Sequence, residues 1–133
     1  MKPKIVSFYY GSLSRLEWVC LSSFIRNGFE VDLYVCEDMK VPDGINLADA
    51  GKYIDCQDIK FFGAGAGEGS GSPALTADIF RSKILADQKN ICWIDTDMLS
   101  IKPFEIFDDY LFAYERDGII NNAIIDRKST RLN

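Results

Sequence analysis

The chain has 133 residues, 47% hydrophobic and 13% aromatic, with a net charge of −5 and a pI near 4.7. That is one domain or part of one, with enough apolar content for a packed core and against disorder. The acidic balance and the lack of a basic stripe argue against nucleic acid and anionic lipid surfaces as partners; the absence of histidine excludes Ser-His-Asp and Cys-His catalysis and every His-ligated metal site.

Residues 5–10 read as a first strand, closed by Gly11. Ser14 and Glu17 stand at capping-box spacing and open a helix that stops at Asn27-Gly28. Leu13, Leu16, Cys20 and Phe24 recur at helical spacing and predict its buried face. Residues 30–35 form a second strand, which completes a βαβ unit with a right-handed crossover. Val41-Pro42-Asp43-Gly44 is turn chemistry with Pro in the second place. The stretch 45–62 is mixed, with a short helix expected around 49–54.

Residues 63–73 carry five glycines at alternate positions and read as an ordinary flexible loop. Gly69-x-Gly71-x-x-Ala74 fits a dinucleotide fingerprint only formally, because Pro73 sits inside the pattern. A second helix is expected over 74–89. The unbroken apolar run Ile91-Cys92-Trp93-Ile94 predicts a buried strand of a parallel or mixed sheet, and residues 112–115 suggest another strand.

Cys20, Cys36, Cys56 and Cys92 form no C-x-x-C pair and sit among apolar or strand-like neighbours, which predicts buried free thiols in a reducing compartment. Strand-like sequence from about Lys4 leaves no room for a signal peptide, and no apolar run nears the roughly 20 residues of a bilayer span. No transmembrane segment and a cytoplasmic location are expected.

The chemistry concentrates at Asp95-Thr96-Asp97. Ligands of open α/β sheets gather outside the carboxyl ends of strands. Two carboxylates at i and i+2 there are hard oxygen donors for Mg²⁺ or Mn²⁺ and, through the cation, a diphosphate. The ordinary reading is that Asp caps the turn after a strand. On the second helix, Asp78 and Arg81 are three apart beside the apolar stripe Ala77, Phe80 and Ile84. Helix pattern alone makes them an exposed ion pair, whereas helix, short connection and strand would bring that face near Asp95 and Asp97.

The run Ala77-Asp78-Ile79-Phe80-Arg81, then Leu85, Trp93-Ile94-Asp95-Thr96-Asp97 and Lys102-Pro103-Phe104, resembles the sugar-binding DXD glycosyltransferases. These GT-A-fold enzymes include bacterial capsular-polysaccharide and α-1,4-glycosyltransferase relatives. Ser7-Phe8-Tyr9-Tyr10-Gly11, Leu21-Ser22-Ser23-Phe24, Gly28 and Leu33-Tyr34 resemble the first strand, helix and second strand of the bacterial branch, so the likeness runs from about residue 5 to 125. It implies an α/β, GT-A-like (Rossmann-like) nucleotide-sugar-binding sheet flanked by helices. The implied activity is metal-dependent transfer of a sugar from a nucleotide-sugar donor, a UDP-sugar foremost, to a glycan or lipid-linked acceptor. By the same resemblance, Asp97 would ligate Mn²⁺ (or Mg²⁺), and Asp95 would contact ribose and reach the metal directly or through water. Asp78 and Arg81 would hold donor-sugar hydroxyls and phosphate charge, and Tyr9, where the family has Trp, would pack on the base. Asn90-Ile91 stands where the family has Gly-Gly, and Ser82 where it has an aromatic residue. No catalytic residue is singled out.

Enzymes of this kind are about twice as long, near the upper half of the usual domain range. Residues 1–125 are therefore expected to be an N-terminal part, truncated before the remaining metal ligand and the acceptor site. The tail 126–133 reads as translated sequencing adapter with no place in the fold. Such a fragment is expected to be marginally stable and without turnover. Two other readings stay open. One is a haloacid-dehalogenase-type Mg²⁺-dependent phosphatase, which also has D-x-D after a buried strand but wants Thr or Val where Leu99 stands. The other is a nucleotide-sugar-binding fragment that transfers nothing.

Overall fold

Side chains along Lys4–Phe8 alternate between two cores: Ile5 packs on one side of the sheet and Val6 on the other, both fully buried. A strand covered on both faces needs apolar residues at consecutive positions, which explains the unbroken runs in the sequence. The structure is a computed structural model and describes residues 2–59, 74–105, 110–116 and 119–127, the last two stretches as backbone.

In chain order come β1 (Lys4–Phe8), α1 (Arg15–Arg26), β2 (Val31–Val35), β3 (Asn46–Asp49), a 3₁₀ turn (Ala50–Lys52), α2 (Ala74–Asp87), β4 (Ile91–Ile94), β5 (Tyr110–Arg116) and β6 (Ile119–Arg127). The described strands form one sheet in the order β3-β2-β1-β4-β6-β5. β3, β2, β1 and β4 are parallel neighbours, with Ile5 opposite both Val31 and Cys92. β6 runs antiparallel to β4, and β5 antiparallel to β6. The fold is thus a small α/β domain whose parallel half is compatible with a Rossmann-like sheet.

On one face, Leu21 and Phe24 of α1 pack with Ile5, Leu33, Cys92 and Ile94. On the other, Phe80 and Ile84 of α2 pack with Val6, Tyr34, Ile91 and Trp93. Burying each large side chain contributes roughly 1.5–3 kcal/mol. The two helices therefore clamp β1 and β4 between them.

The capping box of α1 forms as expected: the Ser14 hydroxyl accepts from the Glu17 amide at 3.3 Å, and the Glu17 carboxylate accepts from the Ser14 amide at 2.8 Å. Its buried face is Cys20, Leu21, Ser23 and Phe24, while Leu16 is 61% exposed. The inner stripe passes through residue 17 instead of 16, which turns Leu16 to solvent. Asn27 caps the end, and Gly28 follows with φ +85°, where a side chain would be strained.

Ile45 donates to the Pro42 carbonyl at 3.2 Å, so Pro42 begins its turn instead of holding the second place. Gly44 then takes the third place with φ +94°. The helix expected over 49–54 is only the 3₁₀ turn, and Asn46–Asp49 is an unanticipated edge strand. Four residues are too few for alternation to announce a strand. β6 was also unforeseen, its apolar pattern being interrupted by Asn121-Asn122. It runs through Asp126 and Arg127, which pair with Cys92 and Ile91, so these first two residues of the presumed tail join the ladder. The glycine-rich loop at 63–73 and residues 128–133 lie outside the described residues.

Not all the cysteines are free. Cys36 and Cys56 form a disulfide, with Cα atoms 5.5 Å apart, while Cys20 and Cys92 are free and buried. Cys36 directly follows β2, and the chain returns through β3 and the 3₁₀ turn to bring Cys56 beside it. No sequence spacing announced that return. Among the described residues, no helix is long and apolar enough to cross a membrane.

Candidate functional site

The sheet order 3-2-1-4 changes direction at β1, which puts a crevice outside the carboxyl ends of β1 and β4. Tyr9 follows β1 at that crevice and Asp95 follows β4. A buried bond locks the two strand ends together: the Ser7 hydroxyl donates to the Ile94 carbonyl at 2.6 Å.

Asp95 is half-buried, and its Oδ1 accepts from the Trp93 indole N–H at 3.0 Å. Burial raises its pKa; the Trp93 bond and the Arg81 charge oppose this, and the Asp97 and Asp78 carboxylates add to it. The same interactions place Asp78, Arg81, Asp95 and Asp97 in one electrostatic neighbourhood, three acids against one guanidinium. Arg81 Nη2 lies 3.1 Å from Asp78 Oδ1, with the Arg81 side chain only 13% exposed and that of Asp78 56%. This is not the exposed ion pair that helix spacing alone predicts, because the guanidinium is largely covered.

Asp97 is exposed and extends the acidic pair toward α1, where it helps burial hold the Cys20 thiol above its usual pKa. Just after the second acid, the Met98 amide donates back to the Asp95 carbonyl at 3.1 Å and closes the turn. The following segment is pinned to α1. Ser100 N–H donates to Ser23 Oγ at 2.8 Å, Asn27 Nδ2 donates to Ser100 Oγ at 2.8 Å, and the rings of Phe29 and Phe104 lie 4.6 Å apart. On the other flank, Asn90 enters β4 with φ +61°. Asn tolerates this left-handed conformation better than most side chains. It therefore meets locally the backbone requirement that a glycine would meet there.

Tyr9 is half-buried and donates from its hydroxyl to Glu17 Oε1 at 2.8 Å. Burial, reinforced by that bond and by the Glu17 charge, pushes its pKa up to about 12. Burial would raise the Glu17 pKa as well, but the bonds from the Ser14 amide and the Tyr9 hydroxyl, with the nearby Ser14 and Thr96 side chains, bring it below the usual carboxylate value. The capping-box spacing of Ser14 and Glu17 announces only the helix cap. The nearness of Thr96 to it had no sequence signal, since 79 positions separate the two.

Tyr9 also lines a cleft of about 590 Å³ at the ends of β1 and β2, together with Trp18, Cys36, Glu37 and Asp38. Asp78, Arg81, Asp95 and Asp97 are not among its walls. The predicted residues thus divide into an acid–guanidinium group at the end of β4 and an aromatic wall beside it, with Glu17 and Thr96 between.

No three acids or thiols converge on a metal-sized point among the described residues. A Mg²⁺ or Mn²⁺ ion held jointly with substrate phosphates uses only one or two protein carboxylates. Asp95 and Asp97 fit that demand. Their negative charge, incompletely offset by Arg81, favours a cation. The chain matches no protein-family model and no curated protein.

Proposed function

We propose that this chain is the nucleotide-sugar-binding part of a metal-dependent glycosyltransferase of the GT-A type. The observation that supports the reading is the gathering of Asp95, Asp97, Arg81 and Asp78 at the end of β4, beside the point where the sheet order reverses.

Asp97 and Asp95 hold the cation, and Tyr9 faces the nucleoside. A divalent cation supplies charge stabilisation for a departing nucleoside diphosphate. Arg81, fixed by Asp78 and largely covered, adds a preorganised positive charge. Asp78 is exposed enough to accept from donor-sugar hydroxyls. The donor class is a UDP-sugar, and the acceptor a glycan or lipid-linked glycan of polysaccharide synthesis. Turnover needs a longer protein that supplies the acceptor side. The cytoplasm is the setting of this reading, and the Cys36–Cys56 bridge is the feature that pulls against it.

Calorimetry on the 133-residue chain tests the proposal, with UDP-glucose, UDP-galactose and GDP-mannose titrated with and without Mn²⁺. Mn²⁺-dependent binding of one of them is expected. Phosphomonoester hydrolysis without such binding would assign a phosphatase instead, and heat-silent titrations throughout would end the glycosyltransferase reading.

A further inference from the structure

We infer that Ser23 of α1 is a positioning residue for Asp97, so that the two acids of the D-x-D turn are set by different elements, Asp95 by the sheet and Asp97 by the helix. The inference rests on the proposed cation-binding role of that turn and adds what holds its outer acid in place.

Asp95 directly follows β4, whose end is fixed by the Ser7 bond to the Ile94 carbonyl, and its own carboxylate is held by the Trp93 indole at 3.0 Å. The Asp97 side chain is exposed, so its place depends on the course of its backbone. Three residues on, that backbone is tied to α1. The Ser100 amide donates to Ser23 Oγ at 2.8 Å, and Asn27 Nδ2 donates to the Ser100 carbonyl at 3.1 Å and to its Oγ at 2.8 Å. The Ser23 hydroxyl donates to the Cys20 carbonyl at 2.5 Å, which commits its proton and leaves it facing Ser100 as an acceptor. Ser23 is 2% exposed, so water does not compete for the bond. A helix serine needs only the bond back to its own helix, whereas the bond to Ser100 spans 77 positions of sequence. The Met98 amide, bonded to the Asp95 carbonyl, lies in the stretch between the sheet anchor and the helix anchor.

The turn is therefore a bridge between β4 and α1, with Asp95 at its sheet end and Asp97 on the way to the helix. Freeing the Ser100 end keeps both acids in the chain and lets their spacing fluctuate. Fewer molecules then present two carboxylates that can share one cation, and the apparent affinity falls with that fraction. Linkage works both ways: a cation on the two acids must favour the Ser100 tie by the same factor as the tie favours the cation. The net contribution of one neutral hydrogen bond corresponds to about fivefold in such an equilibrium.

The test uses the full chain with three substitutions made singly: Ser23→Ala, Asn27→Ala and Ser22→Ala. Alanine is the better helix former, so the backbone of α1 tolerates Ser23→Ala. Asn27→Ala removes the second tie outside the helix interior and keeps the backbone bond from residue 27 to the Ser23 carbonyl. Ser22 donates to the Trp18 carbonyl at 2.7 Å within the helix, so Ser22→Ala repeats the substitution one residue away from the tie. The first readout needs no cation: hydrogen exchange of the Ser100 and Met98 amides. Both should exchange about fivefold faster in Ser23→Ala, Met98 faster in Asn27→Ala as well, and both near wild type in Ser22→Ala. Wild-type exchange at Met98 in Ser23→Ala, whatever Ser100 does, would confine Ser23 to anchoring the downstream segment and overturn the inference. Equal acceleration in Ser22→Ala would overturn it too. Should Ser23→Ala fail to fold, the Met98 amide in Asn27→Ala decides in the same way.

The second readout is Mn²⁺ affinity by calorimetry, expected to fall about threefold or more in Ser23→Ala and Asn27→Ala and to hold in Ser22→Ala. In the wild-type chain, Mn²⁺ should in turn slow exchange of the Ser100 amide. Undiminished Mn²⁺ affinity in both tie variants would also overturn the inference. Should the wild-type chain bind no Mn²⁺, the metal-dependent reading of the site fails by itself, and the Met98 exchange still decides whether α1 sets Asp97.

Discussion

Ser7 and Ile94 are joined inside the core, hydroxyl to carbonyl, one residue before the first acid of the D-x-D turn. Ser7 is fully buried, so the bond is shielded from competing water. Replacing it with alanine removes the donor and weakens the junction between β1 and β4 just where the site begins. We expect Ser7→Ala to cost about 1–3 kcal/mol in urea unfolding, the penalty for stranding a buried polar group. Wild-type stability would show that the Ile94 carbonyl is satisfied without it.

Asp95 carries a stability cost that its proposed role explains. Burial and the neighbouring Asp97 and Asp78 charges raise its pKa in the fold against the Trp93 bond and the Arg81 charge, so folding shifts the balance toward the protonated acid relative to the unfolded chain. Above both its folded and unfolded pKa the ionised group therefore destabilises. That penalty is relieved as pH falls through the raised folded value. Asp95→Asn keeps an oxygen for the Trp93 indole and removes the charge. We expect it to melt higher than wild type at neutral pH, by a margin that shrinks as the solution is acidified, and to lose Mn²⁺-dependent donor binding. A lower melting temperature at pH 7 would contradict this account.

Much of this arrangement was legible before folding because its signals are local. The Ser14–Glu17 pair is four residues long, the Ile91–Ile94 run is continuous, and Asp78 and Arg81 are one helical turn apart. What could not be read depends on chain returns: Ser100 meeting Ser23, Cys36 meeting Cys56, and Ser7 meeting Ile94. β3 and β6 escaped for the same reason, since each is defined by its neighbour in the sheet more than by its own pattern. Leu16 shows the reverse error, an apolar residue assigned to the core whose helix phase puts it in water.

Asn90 separates backbone demand from side-chain chemistry. Its φ of +61° suits Gly and tolerates Asn, but a β-branched residue there is strained by about 1–3 kcal/mol. Asn90→Gly should leave the melting temperature within a few degrees of wild type, while Asn90→Val should lower it clearly. Equal behaviour of the two variants in thermal unfolding would show that the left-handed turn is not required.

The Cys36–Cys56 bridge closes a loop of sequence separation 20 that contains the whole of the edge strand β3. In the chain-entropy model such a loop contributes roughly 3 kcal/mol. Dithiothreitol should therefore lower the melting temperature of the wild-type chain by about 10 °C or more and leave a Cys36→Ser, Cys56→Ser double variant unmoved. Thiol titration of the native, unreduced chain should find neither of these cysteines reactive. Two accessible thiols before reduction would mean that the bridge does not form.

Tyr9 supplies the alkaline counterpart to Asp95. Its pKa is held up to about 12 against an ordinary value of 10.0, with burial as the main cause and the bond to Glu17 second. A folded pKa above the unfolded one means that the fold favours the neutral phenol. The resulting stabilisation is complete below pH 10 and is lost as pH climbs toward 12. Lys4, raised chiefly by its bond to Asp32, and Tyr53, raised chiefly by burial, lose stabilisation in the same direction, so bulk unfolding does not isolate Tyr9. The difference between the tyrosinate absorbance titrations of wild type and Tyr9→Phe does. We expect that difference curve to centre near 12, or to coincide with alkaline unfolding if the fold gives way first. A midpoint near 10 in the still-folded chain would mean that the phenol is solvated and that Glu17 does not hold it.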